Sequence, residues 1–252
     1  MDFEYLFELL CGGVVKGSIY ALIALGYTMV YGIIQLINFA HGEVYMIGAF
    51  VAFIVAGIMT LTGYSGMSVL VLAAIVAVIY AAAYGYTLEK IAYRPLRKAP
   101  RLSPLISAIG ASIFLMNYVQ LAQTPDFLPF PELVTDFEFL EPISRYMSSV
   151  DVVILVVTAV TMTALTVLIK YTKIGKAMRA TQQDQVMARL VGINVDRVIS
   201  ATFIIGPVLA AIGGVLIASR TGQINSAIGF MAGLKAFTAA VLGGIGNIPG
   251  AV

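Results

Sequence analysis

Three polar side chains, Asn38, His41 and Glu43, lie close together in a stretch that is otherwise apolar, YGIIQLINFAHGEV. An amide, an imidazole and a carboxyl group can hydrogen-bond the backbone groups that a broken helix leaves unpaired, and Gly42 beside them would loosen the backbone. The same groups could line or gate a path for a polar solute. Alternatively, Asn38 and Glu43 could cap a helix start at a membrane surface, and His41 could be a hydrogen-bonded packing residue instead of a proton carrier.

A second polar set follows the helical repeat in a later apolar run, at Asn117, Gln120 and Gln123. Side chains three residues apart share one helix face, which predicts a polar stripe that faces the protein interior. Such a stripe could line a path for a polar solute or hydrogen-bond a neighbouring helix.

Several other kinds of chemistry are excluded by the sequence. One His and one Cys, Cys11, cannot build a multi-ligand His/Cys metal site or an internal disulfide. The sequence contains no G-x-x-x-x-G-K-[ST] loop for phosphate binding and neither HExxH nor GxSxG. We therefore expect a non-catalytic chain that needs no cofactor and no metal.

The composition predicts the fold class. Hydrophobic residues make up 60% of the 252 residues and charged residues 11%, and no soluble domain of this length could bury so much apolar surface. We expect an all-α, polytopic integral membrane protein with about seven to eight transmembrane helices. Its first span would cover residues 9–30, its second helix would be broken around 38–43, and its C-terminal segment would be re-entrant. Residues 1–252 would form a single transmembrane domain from which one C-terminal span is missing.

The charges predict the orientation of the chain. Lys and Arg concentrate in residues 90–101 and 170–197, which places both segments in the cytoplasm by the positive-inside rule. Residues 124–150 are acidic, and the number of spans between them and the basic segments puts them on the outer side. Basic clusters beside membrane helices are explained by this topology, so we expect a lipid bilayer and no nucleic acid as the surroundings.

The basic segment at about 171–197 contains a predicted short helix. Asp184 is a suitable N-cap, the helix would begin at Gln185, and Gly192 supplies a left-handed stop. Such a helix would present a small, partly apolar surface, including Met187 and Ala188, that suits docking in a groove of another protein. A solvated loop or a helix at the lipid headgroups is the alternative interpretation.

Three segments together resemble a known family. INFAHGEVYMIGAF at 37–50, RATQQDQVMARLVGINVDRVISATFIIG at 179–206 and IGFMAGLKAFTAAVLGGIGNIPGA at 228–251 are similar to permease subunits of high-affinity branched-chain amino acid ABC importers, the LivH type. The resemblance implies a multi-pass subunit of the bacterial inner membrane that pairs with a second, related permease. It also implies two cytoplasmic ATPase subunits and a periplasmic substrate-binding protein as partners.

The resemblance also implies roles for particular residues. Residues 184–192 would be the coupling helix that docks in an ATPase subunit, and Asn38, His41, Gly42, Glu43 and Asn117 remain candidates for the translocation pathway or gate. Ala188-x-x-x-Gly192 resembles part of the EAA motif of other importer permeases, although the Glu of that motif is absent here. The predicted coupling residues are Asp184, Gln185, Met187, Ala188, Arg189, Leu190 and Gly192.

Two alternatives remain for the function. Permeases for urea and short-chain amides are very similar and have an Asn-x-Ala-His-Gly-Glu-like segment, so the substrate could be an amide. A secondary transporter or channel would need acidic residues deep in several spans, and only Glu43 approaches that description.

Overall fold

The protein is a bundle of α-helices. The computed structural model describes residues 3–97, 99–100, 102–137 and 146–244. Within these ranges six helices are long and apolar enough to cross a membrane, and one further apolar helix is shorter. The predicted all-α, polytopic membrane fold is therefore confirmed, with six long helices in the described part of the chain where seven to eight were expected.

The elements follow one another along the chain as nine helices and two short strands within the described ranges. They are α1 Phe3–Ile34, α2 Ala40–Leu61, α3 Met67–Leu88, α4 Leu102–Ala122, β1 Leu128–Pro129, α5 Ser149–Tyr171, α6 Lys173–Gln183, α7 Gln185–Leu190, α8 Val195–Thr221, β2 Gln223–Ile224 and α9 Ile228–Leu242. A π turn over Glu89–Tyr93 and a 3-10 turn over Arg94–Leu96 continue α3.

Helix α8 is the most buried of the six long helices and packs against α1, α2 and α3. Small residues allow its neighbours to come close. A Cβ atom added to Gly48 of α2 would lie 2.6 Å from the Cα atom of Ala211, and one added to Gly214 would collide with the carbonyl oxygen of Tyr45. Close contacts between small residues are a common source of packing energy between membrane helices.

The contacts between loops agree with the predicted sides of the membrane. β1, in the acidic segment, pairs antiparallel with β2, which follows the end of α8. Arg220 near that end of α8 lies 2.7 Å from the carboxylate of Asp151 at the start of α5. At the opposite end of α8, Arg97 lies 2.5 Å from Asp196 and so joins the two basic segments.

The first two helices differ from the prediction. α1 extends from Phe3 to Ile34, so residues 31–34 belong to the first helix and not to the second. Gln35 then adopts a left-handed conformation with φ of 55°, and α2 begins at Ala40. The break therefore covers 35–39 instead of 38–43. The prediction missed it because a glutamine, a residue that seldom adopts this conformation, takes the place where a glycine would have been recognised.

Helix α6 was not predicted. The hydroxyl of Thr172 accepts a hydrogen bond of 3.1 Å from the backbone nitrogen of Gly175 and caps the helix start. The guanidinium of Arg179 donates to the carbonyl oxygen of Ile169 near the end of α5. Both contacts hold α6 against α5, so this basic segment contains two consecutive helices, α6 and α7, and not a loop with one helix.

Helix α9 has 15 residues and is about 22 Å long at 1.5 Å per residue. It is too short to cross a hydrocarbon core of about 30 Å. This length agrees with the predicted re-entrant C-terminal segment, whose remaining residues, 245–252, lie outside the described part of the chain.

Candidate functional site

The start of α2 lies inside the helix bundle. His41, in the first turn of α2, is so close to Gly26 of α1 that a Cβ atom added to this glycine would collide with the imidazole. Gly26 lies about 12 Å along the helix from Ile34, the last residue of α1. Helix α2 therefore begins beside a point of α1 that lies about two turns before the end of that helix. The first polar side chains of α2 are buried among other helices.

Asn38 lies in the break and is hydrogen-bonded to the π turn that continues α3. The hydroxyl of Tyr93 donates a hydrogen bond of 2.7 Å to Oδ1 of Asn38, and both residues are buried. The ring of Tyr93 in turn packs 5.1 Å from the ring of Phe203 in α8. The position of the break is thus fixed by contacts to α3 and α8.

His41 is fully buried beside an aromatic ring. Its imidazole lies 4.7 Å from the ring of Tyr27, at an interplanar angle of 65°. Neither imidazole nitrogen has a hydrogen-bond partner among the described residues. This environment resembles a packing position more than a proton relay, which would need a chain of hydrogen-bonded groups.

Glu43 is a buried carboxyl group with one oxygen bonded and one free. The hydroxyl of Ser112 in α4 donates a hydrogen bond of 3.0 Å to Oε1 of Glu43, whereas Oε2 has no hydrogen-bond partner in the described part of the chain. Oε2 points toward Gly229 in the first turn of α9, where an added Cβ atom would lie 2.7 Å from it. An unpaired carboxyl oxygen in a buried position is costly for folding, which marks Glu43 as a candidate functional group.

Gly42 allows α2 and α9 to touch through their backbones. A Cβ atom added to Gly42 would lie 2.5 Å from the carbonyl oxygen of Gly229 and 3.0 Å from the Cα atom of Gly233. The first turns of the two helices therefore lie side by side. This close approach explains the glycine at position 42 better than a need for backbone flexibility, because Gly42 itself is helical.

A cavity of about 510 Å³ opens beside Glu43, between the first turns of α2 and α9 and the middle of α4. This volume is in the range of about 300–1,000 Å³ that is usual for small-molecule sites. Its walls are mainly apolar and include Phe39, Ile109, Met116 and Phe230, and Glu43 with Ser112 supplies the polar side chains.

Asn117 does not join this group. It lies on the exposed side of α4, and its amide nitrogen donates to the carbonyl oxygen of Ile113 in the same helix. The prediction of an inward polar stripe is therefore wrong for Asn117. The buried side of α4 is instead the repeat of Ala108, Ser112, Leu115 and Val119, and position 117 is about 200° around the helix from position 115.

The predicted coupling helix is present as α7. Oδ1 of Asp184 accepts hydrogen bonds of 2.7 Å from the backbone nitrogen of Val186 and 3.0 Å from that of Met187, so Asp184 is the N-cap. Gly192 follows the helix with φ of 86°, the left-handed conformation expected of its stop. The local structure of this segment was therefore predicted correctly, whereas its docking role stays a prediction.

The side chains of α7 divide into an inner and an outer set. Ala188, predicted to dock on another subunit, is only 3% exposed and packs in the core with Met178 and Val195, so its placement on the docking face is corrected. Gln185 also faces inward. The outer set, here called the α7 surface, consists of the exposed apolar residues Val186, Met187, Leu190 and Val191. Asp184, Arg189 and Gly192 are exposed beside it.

Comparison with known proteins shows the family. Residues 9–252 match the family described as branched-chain amino acid transport system / permease component. The chain belongs to this permease family. It is 51% identical over 255 aligned residues to the high-affinity branched-chain amino acid transport system permease protein LivH of Escherichia coli K12, covering all of this chain and 83% of LivH.

Other relatives extend the comparison. The permease is 50% identical to the high-affinity branched-chain amino acid transport system permease protein BraD of Pseudomonas aeruginosa, over 99% of this chain and 82% of BraD. A shorter region, 32% of the chain, is 37% identical to the xylose transport system permease protein XylH of Escherichia coli K12 and covers 22% of XylH. No solved structure matches the permease. Family membership, together with the six span-length helices of the described ranges, makes it a multi-pass protein of the bacterial inner membrane.

Two residues of the site were not found from the sequence of the permease. Ser112 could have been recognised because it is the one polar member of the buried repeat on α4. Tyr93 gave no signal, because its hydroxyl reaches Asn38 only through the π turn that continues α3.

Proposed function

We propose that this permease imports the branched-chain amino acids leucine, isoleucine and valine as one membrane subunit of an ATP-driven importer. Full-length similarity to LivH and BraD, whose names state branched-chain amino acid transport, supports the proposal. Its partners are a second, related permease, two cytoplasmic ATPase subunits and a periplasmic substrate-binding protein. The permease catalyses no reaction itself, since its sequence has no loop for binding the phosphates of ATP.

The α7 surface carries the proposal. Leu190 and Val191 are each 75% exposed and Met187 is 60% exposed, beside basic side chains on the cytoplasmic side. An exposed apolar group of this kind, rimmed by polar residues, is typical of a surface that another protein covers. We propose that the α7 surface docks in an apolar groove of an ATPase subunit.

In the proposed mechanism, α7 receives the movement of the ATPase subunits and passes it to the membrane helices. ATP binding closes the two ATPase subunits and displaces the coupling helices of the permeases that dock on them. The capped end of α7 is bonded to the end of α1, so its displacement reaches the break at 35–39. The polar side chains Asn38, His41 and Glu43 around the start of α2 then become accessible from one side of the membrane instead of the other. We propose that residues 1–252 act in this way as one transmembrane domain, with 171–197 as its coupling loop.

Replacement of Leu190 by Asp tests the role of the α7 surface. Leu190→Asp places a charge in the proposed contact and should abolish co-purification of the ATPase subunits with the permease. Leu61→Asp is the matched control, because Leu61 is 90% exposed at the end of α2, on the opposite side of the membrane. Equal recovery of ATPase subunits with both variants would refute the assignment of α7.

Transport of labelled substrate tests the function as a whole. Proteoliposomes with the complete importer, the binding protein and internal ATP should accumulate leucine, and a variant without ATP hydrolysis should not. Uptake of urea or acetamide in place of leucine would favour an amide importer. Leucine movement by the permease alone, without ATPase subunits, would favour a secondary transporter or channel.

A further inference from the structure

The cavity beside Glu43 combines three features that no assigned role explains. Its walls are mainly apolar, Glu43 beside it has a buried carboxyl oxygen without a partner among the described residues, and the first turn of α9 borders it through Phe230 and Met231. Each feature matches one part of a small amphipathic zwitterion.

The carboxyl group of Glu43 matches an ammonium group. Glu43 is 1% exposed and lines the cavity, and Ser112 binds only its Oε1 atom. The ion pairs found in the described ranges join Arg97 to Glu89 and Asp196, and Arg220 to Asp151, so none of them involves Glu43. A buried carboxylate needs a cationic or hydrogen-bonding partner, and an incoming ammonium group with its three donors can supply one.

The first turn of α9 matches a carboxylate. The first N–H groups of a helix have no partner within the helix. In α9 the N–H of Ile228 donates to the carbonyl oxygen of Asn225, and Ala227 at the N-cap position offers no side chain to accept from the next ones. These groups and the positive end of the helix dipole together favour a bound anion. They lie beside Glu43, because Oε2 of Glu43 points at Gly229.

The remaining wall matches an aliphatic side chain. Ile109, Ile113 and Met116 of α4 line the cavity opposite the first turn of α9. Their surfaces offer dispersion contacts to any apolar group of similar size and distinguish poorly between such groups.

We infer that this cavity is a transient subsite for an amino-acid zwitterion, with Glu43 binding the α-ammonium group, the first turn of α9 the α-carboxylate, and the α4 wall the aliphatic side chain. The inference rests on the proposed function, because it places the substrate of that function in the membrane. It adds that the permease itself recognises the charged groups of the substrate after the binding protein has released it. A neutral amide can donate hydrogen bonds to the Glu43 carboxylate but forms no ion pair with it.

Protection of an engineered thiol tests this inference. Met116→Cys in a Cys11→Ala background gives one thiol in the cavity, since Cys11 is the single cysteine of the chain. The complete importer in nanodiscs is treated with a methanethiosulfonate reagent in the presence of leucine, isoamylamine or 4-methylpentanoate. The amine lacks the carboxylate of leucine, and the acid lacks its ammonium group.

Leucine should protect the thiol at a concentration about tenfold lower than either isoamylamine or 4-methylpentanoate, because each analogue lacks one of the two charged contacts. Glu43→Gln should remove the advantage of leucine over 4-methylpentanoate and leave its advantage over isoamylamine, and Glu43→Asp, which keeps the charge, should retain most of both. Equal protection by all three compounds, the same loss in both variants, or a thiol that the reagent never reaches would overturn the inference.

Uptake of leucine by the unmodified importer is measured first, so that two failures stay distinct. If that importer does not accumulate leucine, the proposed function is wrong. If it does, and the probes still protect equally, only the subsite is wrong.

Discussion

The side-chain nitrogen Nε2 of Gln185 lies 2.7 Å from the carbonyl oxygen of Ile33. Gln185 is the first residue of α7, and Ile33 is one residue before the end of α1, where an α-helix leaves its carbonyl groups without an intrahelical partner. One hydrogen bond therefore joins the predicted coupling segment to the helix end that precedes the break.

Gln185→Ala should weaken coupling between ATP hydrolysis and transport. The substitution removes one hydrogen bond worth about 1 kcal/mol, so we expect leucine uptake per ATP hydrolysed to fall about fivefold while the complex still assembles. Gln183→Ala, at the exposed end of α6, is the matched control. The ratio of uptake to hydrolysis in proteoliposomes measures the effect, and equal ratios for both variants would exclude a role for this bond.

Gly42→Ala should separate α2 from α9. The added Cβ atom would meet the backbones of Gly229 and Gly233, and such overpacking costs about 1–3 kcal/mol. Gly57→Ala in the same helix places its Cβ atom in open space and should leave stability equal or slightly higher. Thermal unfolding of the purified importer compares the two, and a melting temperature for Gly42→Ala as high as that of Gly57→Ala would contradict the contact.

Tyr93→Phe should destabilise the break. The variant leaves the buried Oδ1 atom of Asn38 without its donor, which costs about 1–3 kcal/mol. Tyr64→Phe, at a residue that is 63% exposed, should have no measurable effect. Both variants are compared by thermal unfolding and by uptake, and unchanged behaviour of Tyr93→Phe would mean that Asn38 has another partner.

Arg97→Gln should be among the most damaging changes outside the cavity. Arg97 pairs with Glu89, which is fully buried and also accepts a hydrogen bond of 2.9 Å from Ser200. Removal of the cation leaves a buried carboxylate partly unpaired, at a cost of about 3–5 kcal/mol.

The double variant Arg97→Gln/Glu89→Gln should recover much of this loss, because it also removes the buried charge. Arg94→Gln, at an exposed neighbour, serves as the control. Additive losses in the double variant, measured by thermal unfolding, would show that the two side chains act independently.

Much of the fold could be predicted from local sequence patterns, which involve residues close together along the chain. Apolar runs long enough to cross a bilayer and clusters of basic residues depend only on length and composition, so the polytopic fold could be predicted. The ends of α7 could also be predicted, because Asp184 and Gly192 bond the backbone within a few residues. The orientation of Ala188 could not, because the burial of its side chain depends on where α6 and α8 lie.

The site was only partly predictable for the same reason. The polar group Asn38, His41 and Glu43 was visible because polar residues are rare in apolar runs. Their partners lie in the π turn after α3, in α1 and in α4. These partners are too far away along the chain to be predicted from a local sequence pattern. Asn117 shows the converse, since a correct helical repeat did not reveal which side of α4 is buried.

The first turns of α2 and α9 meet within the bundle, with Glu43 beside both. The two helix starts together carry about one positive elementary charge and the Glu43 carboxylate one negative charge, so the proposed site is neutral overall although its two poles stay separate. A site without net charge raises no potential that would draw either sodium or chloride into the membrane. On the proposed function, a solute with both signs of charge would pass while the ion gradients of the cell are conserved.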